Sequence, residues 1–154
     1  MIYHNFTNSL EEAFNKNKNP SIAKKQSSYM RNQFSFFGIK ALERRSIQKF
    51  IISQYELRKD LNDLIINLWN QKHRDFHYCA QEIALDNINK FTKKDISLFE
   101  KMIINKSWWD TIDFISPKIL GEFFKKNPKE IEKTIPIWLK SNNIWLQRSS
   151  ILFQ

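Results

Sequence analysis

Apolar residues recur along the chain at spacings of three and four, and hardly ever in strict alternation. Phe6, Leu10 and Phe14 stand one helical turn apart and predict a first helix. Pro20 suits a helix start, and Ala23, Ser27 and Met30 continue the period into a second. Gly38 then interrupts FSFFGIK, an aromatic-rich turn expected to plug the gap between early helices. Helical spacing resumes through Leu42, Ile47 and Phe50, and again through Leu61, Leu64, Ile65 and Leu68. The pattern predicts an all-α chain.

The second half repeats itself weakly. A shift of 35 residues carries Ile96 onto Ile131, Ile103 onto Trp138 and Ser107 onto Asn142. It also carries Ile112 onto Gln147, which is a poor match. An earlier stretch, DLNDLIINLWNQKHRDFHYCAQEIAL, has the same helix–turn–helix outline. This period lies in the range of tetratricopeptide and HEAT-like arrays, whose helix pairs stack into a curved solenoid with a concave binding face. The expected fold is therefore a helical-repeat solenoid of antiparallel pairs spanning 1–154 as one domain. A compact irregular bundle is the alternative.

Within KSWWDTIDFISPKILG, spacing separates neighbouring residues by task. Ser107 and Asp110 form an S-x-x-D capping box, which gives Asp110 a local role at a helix start. Trp108, Ile112, Ile115 and Ile119 form a core stripe, and Pro117 is expected to kink or end the helix. Trp109 and Asp113 share a different face, about 100° away. An unpaired carboxylate is costly to bury, so that face should be open or polar. One reading is a half-buried Trp109 at a helix seam with a solvated Asp113. The 35-residue shift, however, carries Asp113 onto Arg148 in NNIWLQRSSILFQ. Equivalent positions in stacked repeats line one wall. The two residues are then either a salt bridge between repeats or a site with one carboxylate, one guanidinium and one aromatic face.

Composition narrows the chemistry. The 25 Lys and Arg against 16 Asp and Glu give a formal net charge of +9, which favours an anionic partner such as nucleic acid. Lys40, Arg44 and Arg45 lie near the N-terminal turns, where solenoid edges would flank a DNA backbone; a solvated face is the plainer alternative. The single cysteine, Cys79, excludes an internal disulfide framework and a multi-thiolate metal site. His73 and His77 are four apart, with Asp75 and Cys79 near, but no H-E-x-x-H pattern accompanies them, so a plain histidine pair is expected. No glycine-rich phosphate loop is present, and no cofactor is expected. No lysine is obviously placed for Schiff-base formation on the Trp109–Asp113 face, which gives a lyase step on a sugar no support. No apolar run approaches about 18 residues, the length of a spanning helix. Nothing resembles a signal peptide, so a cytoplasmic, nucleoid-associated location is expected, with no membrane or obligate protein partner.

Four segments together resemble the AlkD-like DNA alkylation repair glycosylases, a family of HEAT-like repeats. They are YMRNQFSFFGIK (Tyr29 to Lys40), HRDFHYCAQE (His73 to Glu82), KSWWDTIDFISPKILG (Lys106 to Gly121) and SNNIWLQRSSILFQ (Ser141 to Gln154). The resemblance covers essentially the whole chain, in the family's order and spacing. The family pattern normally continues through a further helix pair, so the resemblance implies a C-terminally shortened relative. It implies excision of cationic N3- and N7-alkylated purines from duplex DNA. In that family the match to Asp113 is the catalytic carboxylate. The match to Trp109 packs against the lesion-bearing nucleotide, the match to Arg148 contacts the DNA backbone, and Tyr29 resembles an N-terminal cleft aromatic. The alternatives are a non-catalytic DNA-binding repeat protein and, against the charge, a protein-binding scaffold.

Overall fold

The computed structural model describes residues 2–57 and 61–154, which are helical throughout apart from connecting turns. Among them there is no strand, only one bridging pair between Ser35 and His73. The helices are α1 (Ile2–Lys16), α2 (Pro20–Tyr29), α3 (Ala41–Ile52), α4 (Leu61–Trp69), α5 (Arg74–Asp86), α6 (Ile96–Ile104), α7 (Trp109–Phe114), α8 (Gly121–Lys126), α9 (Pro128–Lys140) and α10 (Ile144–Leu152). Two short 3-10 turns precede α6, and a π-helical turn, Ile115–Leu120, joins α7 to α8. Helices pack against one another in pairs, α1 with α3 and α4 in one part of the chain and α9 with α8 and α10 in another, consistent with a HEAT-like helical repeat. The chain divides into two compact units, Met1–Ala80 and Gln81–Gln154, with the boundary inside α5. Asp60, which opens the earlier repeat-like stretch, lies outside the described residues.

In the first unit, the turn-by-turn spacing of Phe6, Leu10 and Phe14 does what it predicts: all three are fully buried. Phe14 meets the rings of Phe37 and Phe76 at 5.4 and 5.6 Å. Leu64, Ile65 and Leu68 of α4 complete this core. Asn19 caps α2 by accepting from the Ile22 N–H at 3.1 Å, with Pro20 in the first turn, where its missing N–H costs nothing. The aromatic turn lies against the start of α2: the Asn19 N–H donates to the Phe37 carbonyl at 2.9 Å. Gly38 makes this approach possible. Its φ is +84°, and a Cβ there would come within 1.9 Å of the Asn19 oxygen.

The apolar pattern misleads in α3. Leu42 and Phe50 are exposed, while Arg44, Gln48 and Ile51 are buried. Ile47, the third predicted apolar position, is half-buried, and a polar set described below shares the inner face with Ile51.

In the second unit, the repeat offset has a structural counterpart. Ile103 in α6 and Trp138 in α9 are matching buried positions, and the Trp138 indole N–H donates to Glu100 at 3.1 Å. Trp108 and Asn143, the residues that begin α7 and α10, are also one period apart. α10 packs on α6, α7, α9 and the π-helical turn.

Candidate functional site

The connection from α6 to α7 turns on Lys106, whose φ of +54° is left-handed. Ser107 is not the cap residue of α7. The Ser107 hydroxyl donates backward to the Ile103 carbonyl at 2.5 Å, and Trp108, in extended backbone, occupies the cap position with no side-chain cap bond. One period later the cap is real: the Asn143 side chain accepts from the N–H groups of Trp145 and Leu146 at 2.9 and 3.2 Å. Trp108 is half-buried rather than core, with its ring 6.0 Å from that of Trp145. The rest of its stripe, Ile112, Ile115 and Ile119, is fully buried.

α7 ends at Phe114, three residues before Pro117, but helical structure does not stop there. Proline has no N–H and its ring collides with the carbonyl four residues back, here that of Asp113. The segment resolves the conflict by widening into the π-helical turn Ile115–Leu120, and helical structure then continues into α8.

With one face buried, α7 presents Trp109 and Asp113 outward. Trp109 is 38% exposed. Asp113 meets Arg148 of α10 side-on: Nε donates to Oδ1 and Nη2 to Oδ2, both at 2.9 Å. This is a two-pronged guanidinium–carboxylate pair, the strongest geometry such a pair adopts. The side chains are 44% and 40% exposed for Arg148 and Asp113, so the pair is open to solvent and to ligands. The repeat offset thus brings together the carboxylate and the guanidinium, with Trp109 one turn before Asp113 on the same helix. Beneath the pair, the Ser116 hydroxyl donates to that of Ser149 at 2.9 Å, and both residues are fully buried. Sequence reasoning missed this contact. Its trace was Ser149 and Ser150 standing three and four residues after Leu146, at positions where the helical period calls for apolar residues.

In the first unit, Tyr29 is 71% exposed at the end of α2. Lys40 begins α3 in extended backbone and is exposed, as is Arg45. Arg44 corrects the sequence expectation. It is only 4% exposed; its Nη1 donates to Gln48 at 3.2 Å and to the Cys79 sulfur at 3.7 Å, and its guanidinium lies 5.4 Å from the Tyr78 ring. A guanidinium held this way faces the unit's interior, not a phosphate. Arg74, fully buried, lies 3.8 Å from the Phe34 ring and bonds His77 at 3.1 Å. The other His77 nitrogen meets the Gln71 carbonyl at 2.9 Å. Asp75 accepts from the Phe37 N–H at 3.0 Å. Burial pushes its carboxyl pKa up, only partly offset by that bond and by the nearby Arg44 and His73. His73 stacks on Phe37 at 4.0 Å, and burial pushes its pKa down. These groups are the unit's interior polar network. Among the described residues, no three His, Cys, Asp or Glu side chains converge to hold a metal ion. A cleft of about 590 Å³ between α1 and α3, floored by Ala13, Ile47 and Phe50, contains none of the candidate site residues.

The family model described as DNA alkylation repair enzyme matches residues 10–154. The chain belongs to the DNA alkylation repair enzyme family. A solved structure of a family relative, described as a predicted DNA alkylation repair enzyme from Enterococcus faecalis, is 28% identical and superposes with a TM-score of 0.79. The match covers 89% of this chain and 65% of that one, so the chain spans less than two thirds of the relative's length. No curated protein matches. Trp109, Asp113, Arg148 and Tyr29 all lie inside the matched region of this family member.

Proposed function

We propose that this protein is a monofunctional DNA glycosylase that hydrolyses the N-glycosidic bond of cationic N3- and N7-alkylated purines in duplex DNA. The observation that carries the reading is the exposed Asp113–Arg148 pair on the outer face of α7 and α10, with the half-exposed Trp109 one turn away, in a member of this family. Glycoside hydrolysis ordinarily needs an acid to protonate the leaving group as well as a second carboxyl group. An N7- or N3-alkylated purine already carries positive charge and leaves without one. One carboxylate then suffices. Asp113 opposes the positive charge that develops on the deoxyribose and accepts a hydrogen bond from the attacking water. The water oxygen bonds to C1′, the C1′–N bond breaks, its electron pair neutralises the departing base, and the water's proton passes to solvent. Trp109 offers an aromatic face to the sugar or the cationic base. Arg148 holds a backbone phosphate through its planar fork, which requires it to exchange Asp113 for phosphate when DNA arrives. Tyr29, Lys40 and Arg45, all exposed, serve as further DNA contacts.

The same pair favours a second reading. In the free protein the Asp113 carboxylate is already engaged by Arg148, and a non-catalytic DNA-binding protein needs only the guanidinium. The deciding experiment incubates the purified chain with a duplex carrying N7-methylguanine. Release of the free methylated base and an equal number of abasic sites, with none from unmodified duplex, supports the glycosylase. Duplex binding without release supports the second reading.

A further inference from the structure

The Asp113–Arg148 pair lies on the outside of two different helices, and an exposed pair of this kind contributes only about 0.2–1 kcal/mol. That is too little to hold α7 and α10 in register. Whatever fixes the alignment must lie beneath the pair, in contacts that cannot be exchanged for water.

We propose that Ser116 and Ser149 are positioning residues for the Asp113–Arg148 pair: a buried hydroxyl–hydroxyl bond that sets the register of the two helices carrying the carboxylate and the guanidinium. Ser149 directly follows Arg148, and Ser116 lies three residues after Asp113, inside the π-helical turn. Their oxygens are 2.9 Å apart and both residues are fully buried. A buried hydroxyl that loses its partner costs about 1–3 kcal/mol, so sliding one helix past the other is opposed where the site needs it opposed. The π-helical turn supplies the rest of the fit. Pro117 frees the Asp113 carbonyl from its ordinary helical bond and forces the widening that begins just after α7. At the far end of the turn, Gly121 approaches α10 so closely that a Cβ would stand 3.2 Å from the Phe153 oxygen. At the starts of α7 and α10, the Trp108 and Trp145 rings lie 6.0 Å apart. The ion pair therefore lies between two sets of side-chain contacts that join the same two segments.

The proposal rests on the reading of Asp113 as the catalytic carboxylate, and its test separates the two. Single replacements, Ser116→Ala or Ser149→Ala, strand one hydroxyl and confound positioning with stability. The double variant Ser116→Ala/Ser149→Ala strands neither, and apolar replacement of both partners is close to neutral for stability. We expect it to melt near the parent and bind duplex with nearly parental affinity. We expect single-turnover release of N7-methylguanine at saturating protein to slow by about ten- to a hundredfold, the effect of a small misplacement of reacting groups. An independent readout is the Arg148 Nε–H resonance in the free protein, which reports its bond to Asp113 whether or not the protein is an enzyme. A resonance that shifts and exchanges faster with water in the double variant supports the proposal. An unchanged resonance overturns it, whatever the excision rate. A changed resonance with no excision by any chain, the parent included, leaves the positioning role standing and removes the catalytic reading instead.

Discussion

Replacing Asp113 with Asn separates stability from chemistry, because the structure sets a different size for each. Arg148 reaches Asp113 at 2.8–2.9 Å through two nitrogens, but both side chains are substantially exposed. Solvent screening limits such a pair to about 0.2–1 kcal/mol. Asn keeps one oxygen able to accept from the guanidinium, so the loss lies toward the lower end. For a chain of this size that corresponds to a fall in Tm of at most about 4 °C. The catalytic loss is larger. Removing a preorganised group that stabilises transition-state charge costs about a hundred- to a thousandfold in rate. Binding moves the other way, because a phosphate no longer competes with a carboxylate for Arg148, so duplex affinity is retained or rises. The assay is single-turnover release of N7-methylguanine from duplex, run beside thermal melting and duplex-binding titrations. A variant that excises as fast as the parent refutes Asp113 as the catalyst. A variant that loses excision only because it has unfolded refutes the magnitude worked from the exposed pair.

Three further outcomes follow from the same geometry. Arg148→Ala should weaken duplex binding without sequence preference and flatten its salt dependence by about one phosphate, a slope change of roughly 0.9; a salt slope identical to the parent's removes Arg148 from the phosphate contact. Arg44→Ala should destabilise by roughly 3 kcal/mol, because it strips a buried polar network of one of its two arginines, whereas Arg45→Ala should leave Tm within about 1 °C and weaken duplex binding; the reverse pattern contradicts the placement of these neighbours. Asp75→Asn addresses pH. Burial raises the folded-state pKa of Asp75, so the folded chain binds more protons than the unfolded one above about pH 4, and this residue's contribution falls as pH rises. Asn keeps an acceptor for the Phe37 N–H and does not ionise, so the Tm of the variant relative to the parent should climb from pH 4 to pH 7; a difference constant across pH counts against a raised Asp75.

What the sequence revealed and what it concealed divide along a physical line. Phe6, Leu10 and Phe14, and again Leu64, Ile65 and Leu68, were legible because apolar residues a turn apart have one economical place to go, the core. The meeting of Asp113 and Arg148 was legible because a repeat period converts sequence distance into spatial adjacency. α3 was misread because burial there is decided by hydrogen bonding, not hydropathy. Arg44 goes inside because Gln48, Cys79 and Tyr78 are placed to receive it, and Leu42 and Phe50 are left outside. No spacing rule announces that exchange. Ser107 illustrates a local ambiguity: its hydroxyl reaches either the coming helix or the preceding one, and the left-handed turn at Lys106 directs it backward to Ile103. Pro117 signalled that the helix had to yield, but kink, stop and π-helical turn are all chemically open. The π-helical turn is the one found here, and it packs against α10.

That choice bears on how binding and chemistry are linked at one guanidinium. A carboxylate and a guanidinium 2.9 Å apart look nearly neutral at distances beyond the roughly 8 Å screening length of physiological salt. The pair therefore contributes little to drawing a polyanion toward the protein. Long-range attraction must come from the other charges behind the net +9, including exposed Lys40 and Arg45. On the proposed reading, Arg148 acts only after contact, when a phosphate close enough to offer its own paired oxygens exchanges with Asp113. On that reading, the exchange would leave Asp113 unneutralised beside the sugar at the moment its charge is of use. It follows that Asp113→Asn and Arg148→Ala, both lesions of one ion pair, should both slow excision, while duplex affinity falls in Arg148→Ala and is retained or rises in Asp113→Asn. A pair that served only to join two repeats would give neither the shared loss nor the difference in affinity.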